Sequence, residues 1–210
     1  MGRLDRRKRN KADRKRKTFV VIGCEGKNKT ETIYIKNFSS RNCIIKFSTG
    51  THTDPIGMAK DLVKFIKNEE ISAKYGDKVY LLLDTDVNED KDEQIKKAKE
   101  ICDKNGIELI TSTPTFEIWY LLHYGYMTKV FQNSKQVKEK IEERIKGYSE
   151  NMNVFPIIAN KTNKAIQNAK KLEKFQEQNG KDLFSEESNP YTSIYKVVEE
   201  LIDRNNHPSA

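Results

Sequence analysis

Cysteine and long apolar runs are scarce in this 210-residue chain, and each shortage removes a class of protein. The three cysteines, Cys24, Cys43 and Cys102, are widely spaced, odd in number and set in apolar contexts. They are expected to be reduced, buried thiols of a cytoplasmic protein and not a disulfide framework. Neither they nor the histidines fall at zinc-ligand spacings. No stretch approaches the roughly 20 apolar residues of a membrane span. The basic N-terminus lacks the apolar segment that completes a secretory signal. There is no Gly-x-Ser-x-Gly elbow for serine hydrolase chemistry. Gly23-Cys24-Glu25-Gly26-Lys27-Asn28 misses the spacing of a phosphate-binding P-loop.

What remains is charge. Hydrophobic residues make up 36% and charged residues 33% of the chain, which favours a modest core with long solvated helices. The length suits one well-buried domain with a helical appendage. The net charge of +8 is concentrated at one end. Residues 1–17 hold ten Lys or Arg against Asp5 and Asp13, so the rest of the chain is formally neutral. This segment reads as a disordered arm, serving either solubility or attraction to nucleic acid. Its candidate phosphate contacts are Arg6, Arg7, Lys8, Arg9, Arg14, Lys15 and Arg16. No apolar face or lipidation signal accompanies it, so no membrane partner is expected.

Beyond the arm, strands and helices alternate. Strands are expected at 18–24, 43–48, 78–84 and 107–111. Helices are expected at about 30–39, 56–70 and 92–104, the last stopped by Asn105-Gly106. This pattern predicts an α/β fold with a four-stranded parallel sheet built from right-handed crossovers. From Pro114 onward the strand signal fades. Thr113 as N-cap and Pro114 at the first position predict a helix through Tyr124. Charged helices follow at 134–146 and 160–178, then a last one at 193–202. The expected organisation is a basic arm (1–17), an α/β core (18–125) and a helical extension (126–210), whose last helix returns to the sheet.

The chemistry sits at strand ends. Val79-Tyr80-Leu81-Leu82-Leu83 is an apolar run without helical period, as in a buried parallel strand, and it closes on Asp84-Thr85-Asp86. Open α/β sheets place their ligands at that edge. Carboxylates at i and i+2 leave a strand on one side and suit a shared divalent cation. Acids there also solvate a loop or cap the next helix. An EF-hand is excluded, because Glu89 stands at the sixth loop position and Ile95 at the twelfth. Glu25 follows the first strand and meets the aspartates if the two strands are neighbours. Glu117 lies near the start of the Phe116–His123 segment at the same edge. Glu31 is either a further ligand or a response to its helix dipole. Trp119 and the leucines after it are expected in the core, and His123 in a structural hydrogen bond.

Three segments together resemble the RloB-like family: Cys24 to Tyr34, Leu83-Asp84-Thr85-Asp86, and Thr113-Pro114-Thr115-Phe116-Glu117-Ile118-Trp119-Tyr120-Leu121-Leu122-His123-Tyr124. Asn189-Pro190-Tyr191-Thr192 and the arginine-rich start add to the likeness. The resemblance implies a Toprim-like fold that binds Mg²⁺ or Mn²⁺ and acts on phosphodiesters. It maps the acids of that fold onto Glu25, Asp84 and Asp86, with Glu117 or Glu31 as the fourth and Lys161 as an accompanying lysine. It also implies antiphage (abortive-infection) defence beside an ABC- or AAA-type ATPase partner. The expectation is therefore a metal-dependent nuclease cutting RNA or DNA. The alternatives are a catalytically inactive nucleic-acid-binding or partner-docking module, and a phosphoryl or nucleotidyl transferase.

Overall fold

A computed structural model describes residues 17–25, 30–48, 50–86 and 91–207. The arm cations Arg6, Arg7, Lys8, Arg9, Arg14, Lys15 and Arg16 lie outside the described residues. Strands β1 (Phe19–Gly23), β2 (Ile44–Ser48), β3 (Lys78–Asp84), β4 (Glu108–Thr113) and β5 (Tyr191–Thr192) form one sheet in the order β2-β1-β3-β4-β5. The first four are parallel. β5 runs antiparallel against the end of β4, with Ser112 opposite Thr192 and Thr113 opposite Tyr191.

The apolar strand runs follow from burial on both faces. Val20, Ile22, Tyr80 and Leu82 point into one core; Val21, Leu81 and Leu83 point into the other. The second core is closed by α2 (Pro55–Asn68) and α3 (Asp92–Lys104), through Leu62, Ile66, Ile95, Ala98 and Cys102. The α2 start carries its own signal: Pro55 occupies the first turn and Asp54 Oδ1 accepts from Gly57 N at 2.8 Å. At the α3 end Gly106 takes φ +67°. Ile107 N then donates to Cys102 O, and Gly106 N to Asp103 O, the paired bonds of a Schellman stop.

The first core is larger. It holds α1 (Thr30–Lys36), α4 (Ile118–Leu122), α5 (Ser134–Glu142), α6 (Phe155–Ile158), α7 (Thr162–Gln178) and α8 (Ile194–Asn206). Residues of α5, α7 and α8 share one hydrophobic cluster with the sheet. Ser193, just before α8, bonds to Thr111 of β4 through both backbone and hydroxyl.

Two expectations need correction. The sheet has five strands, not four, because two residues after Pro190 are too few to show any alternation. The helix after β4 is also shorter than expected, running only from Ile118 to Leu122. Thr113 does not cap it. Its backbone pairs with Tyr191, and its hydroxyl meets Thr85 Oγ1 at 2.6 Å and Ser188 Oγ at 3.0 Å. Lateral bonds across the sheet edge outcompete the local cap.

His123 is fully buried, and its Nδ1 lies 2.9 Å from the Trp119 carbonyl, the structural hydrogen bond expected of it. Burial, aided by the charge of Lys161 and opposed by that bond, pushes its pKa down to about 4. The folded protein therefore keeps the imidazole neutral while the unfolded chain, at about 6.5, takes up a proton. Stability from this group is complete above pH 6.5 and falls as the pH drops toward 4, by about 3 kcal/mol. Urea melts at pH 7 and pH 4 should show that loss, and His123→Gln should flatten it.

Candidate metal and acidic site

The sheet order makes the site. β1 and β3 are neighbours, yet the chain leaves β1 toward β2 and leaves β3 toward β4. Connections diverging from adjacent parallel strands open a crevice at their C-terminal ends. Glu25 stands two residues past β1 and is exposed; Asp84 is the last residue of β3. Beyond Asp84 the ladder continues one step, as Thr85 N donates to Ser112 O at 2.9 Å. Thr85 is buried, while Asp84 and Asp86, on the other side of the extended chain, are partly exposed.

Glu25, Glu31, Asp84 and Asp86 line one small cleft, floored by Met58, Leu82 and Leu83 and flanked by Thr53 and Pro55. Lys91 also lines it, and its Nζ bonds Asp86 Oδ2 at 2.8 Å. Glu117 approaches Asp84 from the other side and is buried, 3% exposed. Thr115 stands between them, its Oγ1 3.1 Å from Asp84 Oδ2 and 2.5 Å from Glu117 Oε2. Tyr148 OH donates to Glu117 Oε1 at 2.9 Å, with Thr30 Oγ1 at 3.4 Å.

One contact in this arrangement lacks a proton. Thr115 has a single hydroxyl proton for two carboxylates, so the second contact needs a protonated acid or a cation nearby. Burial, then the charges of Glu31, Glu117 and Asp86, push the Asp84 pKa well above the usual carboxylate range, against the Phe116 backbone N–H that lowers it. Lys138 belongs to the same field. Burial disfavours its charge, but its bond to Glu150 and the charges of Glu117 and Asp84 outweigh burial and raise its pKa.

The structure thus brings Glu25, Glu31, Asp84 and Asp86 to one cleft, with Glu117 against Asp84. Lys161 is elsewhere, its Nζ 4.5 Å from the centre of the Tyr124 ring. Sequence reasoning did not single out Thr30, Lys91, Thr115, Lys138 or Tyr148. Thr30 and Thr115 lay inside segments already singled out, and Lys91 is five residues past Asp86; Lys138 and Tyr148 are isolated residues far from the aspartates in the chain.

The donors are hard oxygens, as Mg²⁺ or Mn²⁺ requires, and Asp84 in particular faces more negative charge than its neighbours offset. Among the described residues, no three His, Cys, Asp or Glu side chains converge closely enough to ligate one ion.

Fold and site together define a mixed α/β protein with a mostly parallel sheet and an acidic crevice at its C-terminal edge. The sequence profile of the RloB-like proteins matches residues 20–201, and the chain belongs to that family. No curated protein and no solved structure matches it.

Proposed function

We propose that this protein is a divalent-metal-dependent nuclease of Toprim-like architecture that hydrolyses RNA or DNA phosphodiesters. The observation carrying this reading is the carboxylate field around Asp84, undercompensated and placed at the strand-order reversal. Asp84 and Asp86 would hold Mg²⁺, with Glu25 and Glu31 reaching the same cleft. When bound, the ion supplies Lewis-acid polarisation of the phosphate. Glu25, exposed at the cleft, serves as proton acceptor or donor to the reacting oxygen, a role that requires hydrogen-bond reach to it. Glu117 is fixed by Tyr148, Thr115 and Thr30, and its charge orients whatever Asp84 binds. Lys91 and Lys138 limit repulsion of a polyanion approaching so acidic an edge. The family resemblance supports a cytoplasmic role in antiphage defence under the control of a partner ATPase.

A partner-docking or nucleic-acid-binding module is the competing reading, favoured by the absence of three convergent ligands among the described residues. The test is incubation of the full chain with Mg²⁺ or Mn²⁺ and single- and double-stranded DNA, RNA and tRNA, with and without the ATPase. EDTA-sensitive cleavage is the expected result. Intact substrates under every condition, with binding indifferent to EDTA, would establish the docking module instead.

A further inference from the structure

One face of α7 and the turn before it carries Lys161, Lys164, Asn168 and Lys171, at helical spacing of three and four residues. The chain just after α4 runs along this face. Asn168 Nδ2 donates to Leu122 O at 2.7 Å and Lys164 Nζ to Tyr124 O at 3.2 Å. Lys161 Nζ lies 4.5 Å from the Tyr124 ring centre, and Lys171 Nζ 4.1 Å from that of Tyr126. Arg144 approaches Tyr124 as well, at 6.0 Å.

These cations differ from their neighbours in making no salt bridge, although the charge of Arg144 is felt by Glu143. Lys170 is paired with Glu199, Lys196 with Glu173, and Lys138 with Glu150. Among the described residues, Arg144, Lys161, Lys164 and Lys171 have no carboxylate within salt-bridge distance; their contacts are rings and a carbonyl. Tyr124 and Tyr126 are half-buried against the larger core, and a cation over the water-facing side of such a ring gains about 0.5–2 kcal/mol, less than a charge-assisted bond to phosphate offers. A passing phosphate therefore draws the ammonium outward and opens the ring face beneath it.

We propose that this face is a binding track for single-stranded nucleic acid, with Arg144, Lys161, Lys164 and Lys171 on the phosphates and Tyr124 and Tyr126 under the bases. Unpaired bases offer the faces that such rings need, whereas a duplex hides them. The track spans about 15 Å from Lys161 to Lys171 by helix rise. Through the aromatic core it is linked to Glu117. Tyr124 lies one turn beyond Tyr120, whose ring centre is 6.2 Å from that of Tyr148, the donor to Glu117. Arg144 lies one turn before Tyr148. The inference deepens the nuclease reading, on which its role as a substrate path rests, but the binding itself does not depend on catalysis.

Fluorescence anisotropy in EDTA, with short labelled single strands of RNA and DNA and the matching duplexes, tests the track on the full chain. Replacing Arg144, Lys161, Lys164 and Lys171 together by Gln should make the salt slope for single strands shallower by about 2–3. Tyr124→Leu should weaken single-strand binding about tenfold and leave duplex binding nearly unchanged. Circular dichroism checks that each variant is folded; the four charge changes are at surface positions, so the slope stays interpretable if Tyr124→Leu loosens packing. Wild-type slope and affinity in the charge variant would overturn the track, as would no single-strand binding by the wild type. Equal loss for duplexes would overturn the single-strand assignment. Loss of binding only to phosphatidylserine vesicles would assign the patch to lipid headgroups and overturn it too. Binding loss in the variants without Mg²⁺-dependent cleavage by the wild type would sink the nuclease reading alone. Cleavage by the wild type with binding untouched in the variants would sink the track alone.

Discussion

Asp84→Ala is expected to reduce nucleic-acid cleavage at least a thousandfold while leaving the protein folded, and Asp84→Asn to do the same while raising the melting temperature. The two effects have one origin. Asp84 sits among Glu31, Glu117 and Asp86 and is costly to ionise there. Its folded pKa lies above that of the unfolded chain, so the fold holds its proton more tightly. The contribution of Asp84 to stability is therefore greatest at low pH and declines as the pH rises through the unfolded value of about 3.9 to the raised folded one. At neutral pH the ionised carboxylate is a liability that Asn removes, on the order of 1 kcal/mol, or a few degrees of melting temperature. Mg²⁺ should raise the melting temperature of the wild type and barely move that of Asp84→Asn. Differential scanning fluorimetry with and without Mg²⁺, beside a cleavage assay, checks all of this. A variant that cuts like wild type, or one that Mg²⁺ stabilises equally, would remove Asp84 from the site. The acid dependence of His123 has the opposite sign, so the two are separated most cleanly in the Asp84→Asn and His123→Gln variants measured side by side.

Trp119→Ala should cost about 3–5 kcal/mol of stability, the usual range for emptying a large aromatic site. Trp119 is fully buried, and its ring lies 4.9 Å from His123 and 6.3 Å from Tyr34, centre to centre. Tyr34 belongs to α1 and in turn meets Phe38, Phe116, Tyr120 and Phe155. The indole thus lies within the aromatic cluster by which the helix after β1 is held against the segment carrying Glu117. At about 2–4 °C per kcal/mol, the melting temperature should fall by 10 °C or so. Trp119→Phe should lose distinctly less, because it leaves a smaller void. Thermal melts followed by circular dichroism decide this; an Ala variant as stable as wild type would mean the site collapses freely. The sole tryptophan is the one removed, so intrinsic fluorescence cannot serve as the probe.

The sequence was most legible where periodicity and punctuation agreed. β3 and α3 begin and end at the residues expected, because an apolar run closing on Asp84 and an amphipathic helix closing on Asn105-Gly106 each state both limits. β5 was invisible, since Tyr191 and Thr192 become a strand only by pairing with Thr113 and Ser112. That same pairing misled the reading of Thr113 as a cap. In the site, Glu25, Asp84 and Asp86 announced themselves as acids at strand ends. Tyr148 and Lys138 did not, because a hydroxyl or ammonium reaching in from a distant segment leaves no local pattern.

The expected helical extension beyond residue 125 has contacts that reach the acidic crevice. Tyr148 and Lys138 both lie beyond residue 126; Tyr148 donates to Glu117, and Lys138 feels the charges of Glu117 and Asp84. A cut at residue 125 would therefore remove the Tyr148 hydroxyl from Glu117 as well as half of the larger core.

The tie between Arg204 and the start of the sheet has a consequence for how the protein comes into being. Arg204 donates to Thr18 Oγ1 at 2.9 Å and to Gly76 O at 2.7 Å, across 186 and 128 residues of chain. Contacts of such separation form late, after the shorter loops have closed. During translation they must wait until residue 204 has left the ribosome, and β5, laid beside β4 by residues 191 and 192, waits nearly as long. The N-terminal edge of β1 and β3, opposite the acidic crevice, is therefore tied down only after residue 204 has been made. A nascent chain that has not reached residue 204 already has the aspartates but lacks this clasp between the first strand, the turn before β3 and the last helix.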